Sequence, residues 1–386
     1  MTAKVGDIIA GISGVLPGTL PADGSLINAD AYPALARVFS DAGQEGLAQL
    51  PFTEAVNGVW GASDYHRATV FSPDGMYLAC GHNNYGRLAI RRVNDWSTVD
   101  HGIVPTSAVY GIAFSPDSSL MAYCTSAYTD IISTADWSQV VRLTNEFGHQ
   151  VKGNKIRFSN DGSRVYIAYS SSPYFRAFDT ATWAEVAGSN ITGHSVISFS
   201  ESPDGSKIAT VSSSAPRIFV YNSADFSAVS FGSSFTIGGT PTDVAFTPDG
   251  SVVSVATTSY PYLYQLDASA WTLLPSVNTI GTNSIRSIAY TADGSFLIAT
   301  TQYGDTYRIY DASSLTLLHS SGGVSSYSCD IHPDGDYAVV GFSGSPGYRV
   351  FSNNIVIAGV LQLPDLPALS LGNSQLARPL IRVEEV

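Results

Sequence analysis

The residues best equipped for acid–base or metal chemistry are a set of evenly spaced aspartates and seven histidines. The aspartates stand at 74, 117, 161, 204, 249, 293 and 334, at intervals of 43, 44, 43, 45, 44 and 41 residues. A catalytic carboxylate works in a unique environment that shifts its pKa away from that of its partner. Seven equivalent copies describe a repeated structural element instead. His66, His82, His101, His149, His194, His319 and His332 follow no metal-ligand interval. Gly-x-Ser-x-Gly, His-Glu-x-x-His, Gly-x-Gly-x-x-Gly and phosphate-loop patterns are all missing. Cys80, Cys124 and Cys329 form neither a Cys-x-x-Cys pair nor an even set, so they read as buried core thiols. The expectation is a protein without catalytic residues, cofactor or bound metal.

The setting of each aspartate shows what it does. Phe71-Ser-Pro-Asp-Gly75, Phe114-Ser-Pro-Asp-Ser118, Phe158-Ser-Asn-Asp-Gly162, Phe246-Thr-Pro-Asp-Gly250, Tyr290-Thr-Ala-Asp-Gly294 and Ile331-His-Pro-Asp-Gly335 are one turn. Phe199-Ser-Glu-Ser-Pro-Asp-Gly205 reads as the same turn with two extra residues. Proline presets the turn φ and glycine accepts φ > 0, so the motif closes a hairpin. A period of about 40–45 residues with four short strands is the signature of a propeller blade. In the second copy the strands are expected at 110–114, 120–124, 129–133 and 139–143. The fold class is therefore all-β, with a seven-bladed β-propeller over residues 59–360.

Two packing signals support this fold. Trp96, Trp137, Trp183, Phe226, Trp271, Leu315 and Ile355 recur after the third strand and are expected to plug the seam between adjacent blades. The first strands carry bulky residues on one face, such as Ile112 and Phe114 or Val244 and Phe246, with small ones such as Ala113 and Ala245 between them. Side chains alternate across a strand, so bulky and slim faces interdigitate around a ring.

The loops between second and third strands are rich in tyrosine: Tyr85, Tyr128, Tyr174, Tyr260, Tyr262, Tyr303 and Tyr348. Exposed, these rings would stack on sugars or anchor a protein partner; otherwise they pack at the strand ends. The net charge of −13 argues against nucleic-acid phosphates or anionic membranes as partners, since both need clustered Lys and Arg. The apolar run Ile8–Val15 is interrupted by glycines and too short to span a bilayer. A soluble product made in the cytosol without a signal peptide is the expectation.

The repeats resemble WD40-like and related bacterial propeller repeats, with Gly148-His149 at the Gly-His position of a WD40 blade. That resemblance implies architecture and no activity. Sialidase-type Ser-x-Asp-x-Gly boxes do not fit, because no residue separates Asp from Gly here. Outside the propeller, Val5-Gly-Asp-Ile-Ile9, the turn around Asp23-Gly24, and a short helix carrying Tyr32, Leu35 and Phe39 resemble the bacteriophage tail collar domain. Leu363-Pro364-Asp365-Leu366 and Arg378–Val383 resemble its second half, with Leu50-Pro51-Phe52 a competing position for the Leu-Pro element. The resemblance implies a small α+β collar-like module built from residues 1–58 and 361–386, interrupted by the propeller. It further implies a structural virion protein of a tail or tail fibre. Its partners would be other tail or baseplate proteins and a host-surface glycan or protein receptor, with a homotrimer the oligomer familiar among fibres. A cellular interaction scaffold and a propeller glycan-active enzyme are the alternatives.

Overall fold

The computed structural model describes residues 66–352 apart from 83–86, 126, 144–152, 170–171, 230–236, 275–282, 303–304, 323–324, 336 and 343–346. It also describes strands at 8–10, 19–21, 26–28, 53–58, 360–362 and 379–382. The chain divides into two compact units, Met1–Thr53 with Ser352–Val386, and Glu54–Phe351.

The larger unit is a ring of seven antiparallel sheets. Their innermost strands are His66–Phe71, Val109–Phe114, Gly153–Phe158, Ser198–Glu201, Pro241–Phe246, Ile285–Tyr290 and Ser326–Ile331, numbered here as blades one to seven. Each inner strand neighbours the next, and that of blade seven neighbours that of blade one, so the ring is closed. Blade two runs Val109–Phe114, Leu120–Thr125, Thr129–Ser133 and Gln139–Leu143 in simple meander order. Blade seven is a hybrid. Thr53–Gly58 is its outermost strand, added beside Tyr348–Ser352 from the far end of the sequence. This segment lies within the 1–58 stretch that sequence alone groups with the chain end.

The aspartate turn repeats atom by atom. In blade one Gly75 N–H donates to the Ser72 carbonyl at 2.8 Å, and Ser72 N–H to the Tyr77 carbonyl at 2.8 Å. Asp74 accepts from the Ser72 hydroxyl and from Met76 N–H. Asp117, Asp161, Asp204, Asp249 and Asp293 repeat the pattern with their own following serines. The carboxylate thus holds an Asx-type turn, as a short acidic side chain does best. The Ser115 hydroxyl and then the Ser119 amide hold Asp117 below the usual carboxylate range. Gly75 has φ +70°, and a Cβ there would sit 2.5 Å from the His332 ring of blade seven. His332 fills the place of the serine or threonine found in the other turns, and it contacts the Gly75 carbonyl at 3.1 Å across the closing seam.

Blade four corrects the sequence reading. Glu201 pairs with Ile208 as Phe71 pairs with Leu78 and Phe114 with Met121. Glu201 therefore opens the turn, and nothing is inserted. Phe199 lies two residues back on the same face, which is why it mimics the expected Phe.

The recurrent bulky residues sit in the seams, and they do so in the left-handed backbone region. Trp96, Trp137, Trp183, Phe226, Trp271 and Leu315 have φ of 54–60°. Each of the last five donates its N–H to the carbonyl four residues back, as Trp271 does to Asp267 at 2.8 Å. The aspartate that starts the loop caps it: Asp267 Oδ1 accepts from the N–H groups of Ser269 and Ala270. This turn swings the large ring sideways onto the preceding blade. Trp137 meets Tyr77 edge-on at 5.1 Å, and Trp96 meets Tyr337 at 5.3 Å across the closure. Left-handed backbone costs a non-glycine residue roughly 1–2 kcal/mol, less than burying a Trp returns. Ile355 lies outside the described residues. Cys80, Cys124 and Cys329 are buried free thiols, and burial pushes Cys124 up to about 12.

The smaller unit is built from both ends of the sequence. Pro379–Arg382 is the central strand of a three-stranded sheet, between Ile8–Ala10 and Thr19–Pro21, with Ile8 opposite Ile381 and Leu20 opposite the same Ile381. Leu26–Asn28 pairs with Val360–Gln362. The helix expected around Tyr32 and Leu35, and Asp23, Gly24, Leu363, Pro364 and Asp365, lie outside the described residues, as do Gly148 and His149.

Trp271 is 6% exposed and meets Phe246 edge-on at 6.2 Å. Trp271→Ala should destabilise the propeller by about 3–5 kcal/mol, read as a lower urea midpoint, while Trp271→Gly is less damaging because glycine adopts φ > 0 freely. An unchanged midpoint, or glycine worse than alanine, contradicts the seam-and-turn account.

Candidate functional site

The inner strands enclose a cavity of about 580 Å³ on the ring axis, lined from all seven blades. Its side chains fall into tiers set by strand register, counted back from the residue that opens each turn. Three residues back stand Ala68, Gly111, Lys155, Ser198, Asp243, Ser287 and Ser328. One residue back the charged members are Arg157 and Asp330. Small side chains dominate these tiers because the ring axis is crowded, so each charge there is a departure from the repeat.

Asp243 is 3% exposed and is the best-partnered group in the cavity. Its Oδ1 accepts from the Lys155 ammonium, the Ser198 hydroxyl at 2.6 Å and its neighbour Val244 N–H at 3.0 Å. Its Oδ2 accepts from the Ser287 hydroxyl at 2.9 Å and Ile288 N–H at 3.1 Å. Lys155 also donates to Ser198 at 2.7 Å. One cluster thereby ties blades three, four, five and six. Burial works to raise the Asp243 carboxyl, but Lys155 and the donated hydrogen bonds hold it below the ordinary value. Burial lowers the Lys155 ammonium as well, while the five donors on the Asp243 carboxylate favour its charged form.

Two further acids do similar work. Asp330 Oδ2 accepts Phe71 N–H at 2.8 Å, joining blade seven to blade one. Burial pushes its carboxyl up to about 6, with the Phe71 amide pulling the other way. Glu201 accepts Asn160 N–H at 2.6 Å and the Tyr166 hydroxyl at 3.0 Å from blade three, and burial raises it too. Each acid is occupied by an adjoining blade. Among the described residues no group of three His, Cys, Asp or Glu is placed to hold a metal ion.

The tyrosines separate by burial. Tyr128 is 5% exposed, with its hydroxyl accepting Thr106 N–H at 3.0 Å and the Arg142 guanidinium 3.7 Å over its ring. Tyr348 is fully buried and accepts from Arg91 Nε at 2.6 Å. Both correct the expectation of an exposed binding ring: they stand beside or at the start of third strands, where an aromatic is wedged against neighbouring side chains. Tyr174 and Tyr262 are half-buried. Tyr260 is 65% exposed and meets Tyr262 edge-on at 6.3 Å. Tyr85 and Tyr303 lie outside the described residues. Lys155, Asp243 and Asp330 escaped the sequence reading. Aligning the seven first strands would have exposed them, as charges where the other blades carry mostly Ala, Gly, Ser or Val.

No protein-family profile matches the sequence, and no curated protein does. Solved structures match the fold. Kuenenia stuttgartiensis hydrazine synthase aligns with a TM-score of 0.62 at 14% identity, over 78% of this chain and 99% of that one. The β-propeller domain of Myceliophteria thermophila Cps50 (Swd1) aligns at 0.63 and 13% identity, over 78% and 99%. The chain is thus similar to these proteins in fold, and it is a β-propeller.

Lys155→Met should leave Asp243 buried without its cation and destabilise by about 3–5 kcal/mol, most of it restored on adding Asp243→Asn. Urea unfolding of both variants checks this, and additive losses contradict it. Asp330 has the opposite pH signature. Its folded pKa of about 6 lies above the unfolded value of about 3.9, so the fold favours the protonated form. Stability is undiminished below about pH 4 and falls as pH rises through about 6. Asp330→Asn keeps an oxygen for Phe71 N–H and removes the titration. Its stability relative to the parent should therefore climb between about pH 4 and 7; a difference flat with pH contradicts the assignment.

Proposed function

We propose that this chain is a non-catalytic attachment protein of a bacteriophage virion, carried in the tail or a tail fibre, with the propeller as its binding head. The observation that carries the reading is the weave of the two chain ends into one sheet, Pro379–Arg382 between Ile8–Ala10 and Thr19–Pro21. These strands coincide with, or directly adjoin, the segments that resemble the tail collar family. A module made of both ends, with a ring inserted between its halves, suits a mount that joins other tail or baseplate proteins while the ring faces a host-surface glycan or protein.

Two features support a binding rather than a chemical role. Glu201, Asp243 and Asp330 are held by neighbouring blades, which leaves no free carboxylate pair of the kind glycan cleavage requires among the described residues that line the cavity. Tyr260 with Tyr262 offers an uncharged aromatic edge of the kind that anchors partners.

Particles purified by density gradient should retain the protein, and antibodies against the propeller should label the tail in immunogold micrographs. Protein found solely in the particle-free host fraction, bound to cellular partners, contradicts the virion assignment and leaves a cellular scaffold.

A further inference from the structure

Four residues back from the turn, consecutive blades six, seven, one and two present Arg286, Tyr327, Arg67 and Tyr110. All four line the axial cavity. The Arg286 guanidinium lies over the Tyr327 ring at 5.3 Å, and that of Arg67 over Tyr110 at 5.5 Å. Each ring holds its guanidinium by one face, and the terminal Nη groups, which make no hydrogen bond among the described residues, stay available. Neither arginine has a carboxylate partner among the described residues, and Arg286 Nε is buried with no acceptor at all. The described side chains of this tier in the other blades, Ile197 and Thr242, are uncharged.

Two unpaired guanidinium groups on a common arc are unusual in a chain of net charge −13. The arginines do not stabilise the ring by ion pairing, and the orphaned Arg286 Nε is a cost that no interaction within the described residues offsets. Register puts the arc at the end of the channel bordered by the loops between second and third strands, since Ile285 lies opposite Thr301 and Pro241 opposite Thr257. That end includes the Tyr260–Tyr262 edge. A cavity of about 580 Å³ is of a size to admit a small molecule or the end of a saccharide chain.

We infer that this Arg–Tyr arc is a binding site for an oxyanion group, carboxylate or phosphate, carried on a sugar-sized ligand that enters the channel mouth. The guanidinium forks would take the oxyanion bidentately, and the tyrosine edges and Tyr260 would flank the neutral body of the ligand. This rests on the reading of the propeller as a binding head and supplies its ligand class.

Calorimetric titration of the full chain with D-glucuronate, inorganic phosphate and D-glucose tests it. Binding of glucuronate, of phosphate or of both in competition is expected, with none of glucose; which of the two binds identifies the source of the anion. Arg67→Met and Arg286→Met should each weaken binding about tenfold or more. Arg67→Lys keeps the charge and removes the fork, so it should lose several-fold even if the methionine variants fold poorly. No binding of either anion, or unaltered affinity in folded Arg67→Lys and Arg67→Met, overturns the site. A particle-borne protein that binds neither anion would refute this inference and leave the virion reading standing.

Discussion

The inner strand of a blade is a sheet edge, and everything in the ring depends on how that edge is satisfied. Half of its N–H groups point away from the second strand, towards the next blade, where no ladder exists to receive them. An unpaired buried amide is costly. Side chains of adjacent blades take the load: Asp330 accepts from Phe71, Asp243 from Ile288, and Ser200 from Phe246. Carboxylates at these points seal the seam and fix its register, since a one-residue slip would present the wrong face.

The same constraint explains the distribution of charge. A ring axis has room for small residues only, so most first strands carry Ala, Gly or Ser there. Within the tier three residues back from the turn, the buried charges match each other on the spot, Lys155 against Asp243. Among the described residues Asp330 has no cation at hydrogen-bonding distance, so burial raises its carboxyl instead. Outside the axis the wedges on left-handed turns hold the blades apart at a set distance, and Thr53–Gly58 completes the last sheet from the opposite end of the sequence.

Much of this fold is legible in the sequence because it repeats. The Ser-Pro-Asp-Gly turn announces seven hairpins, and the spaced Trp and Phe residues announce seams. Their left-handed backbone is invisible beforehand, because φ > 0 is the expectation for Gly and never for Trp. Blade four misleads because Phe199 and Glu201 share a face, so either can stand for the motif's Phe. Thr53–Gly58 is hidden for another reason: its partner lies some 300 residues away, and no local pattern specifies such a pairing. The cavity was the least legible part. Tyr128 and Tyr348 look like surface aromatics until packing buries them, whereas Arg67 and Arg286 look like ordinary strand charges until the ring gathers them around one axis.

Hydrogen exchange at two amides tests the account most directly. Phe71 and Ile288 donate to carboxylates of neighbouring blades and not to their own sheets. If those clamps hold the ring together, the two amides exchange as slowly as the ladder amides of the second strands, through global unfolding alone. Exchange orders of magnitude faster, with the ladders still protected, would show the seams opening freely and contradict the claim that the channel acids bind blade to blade.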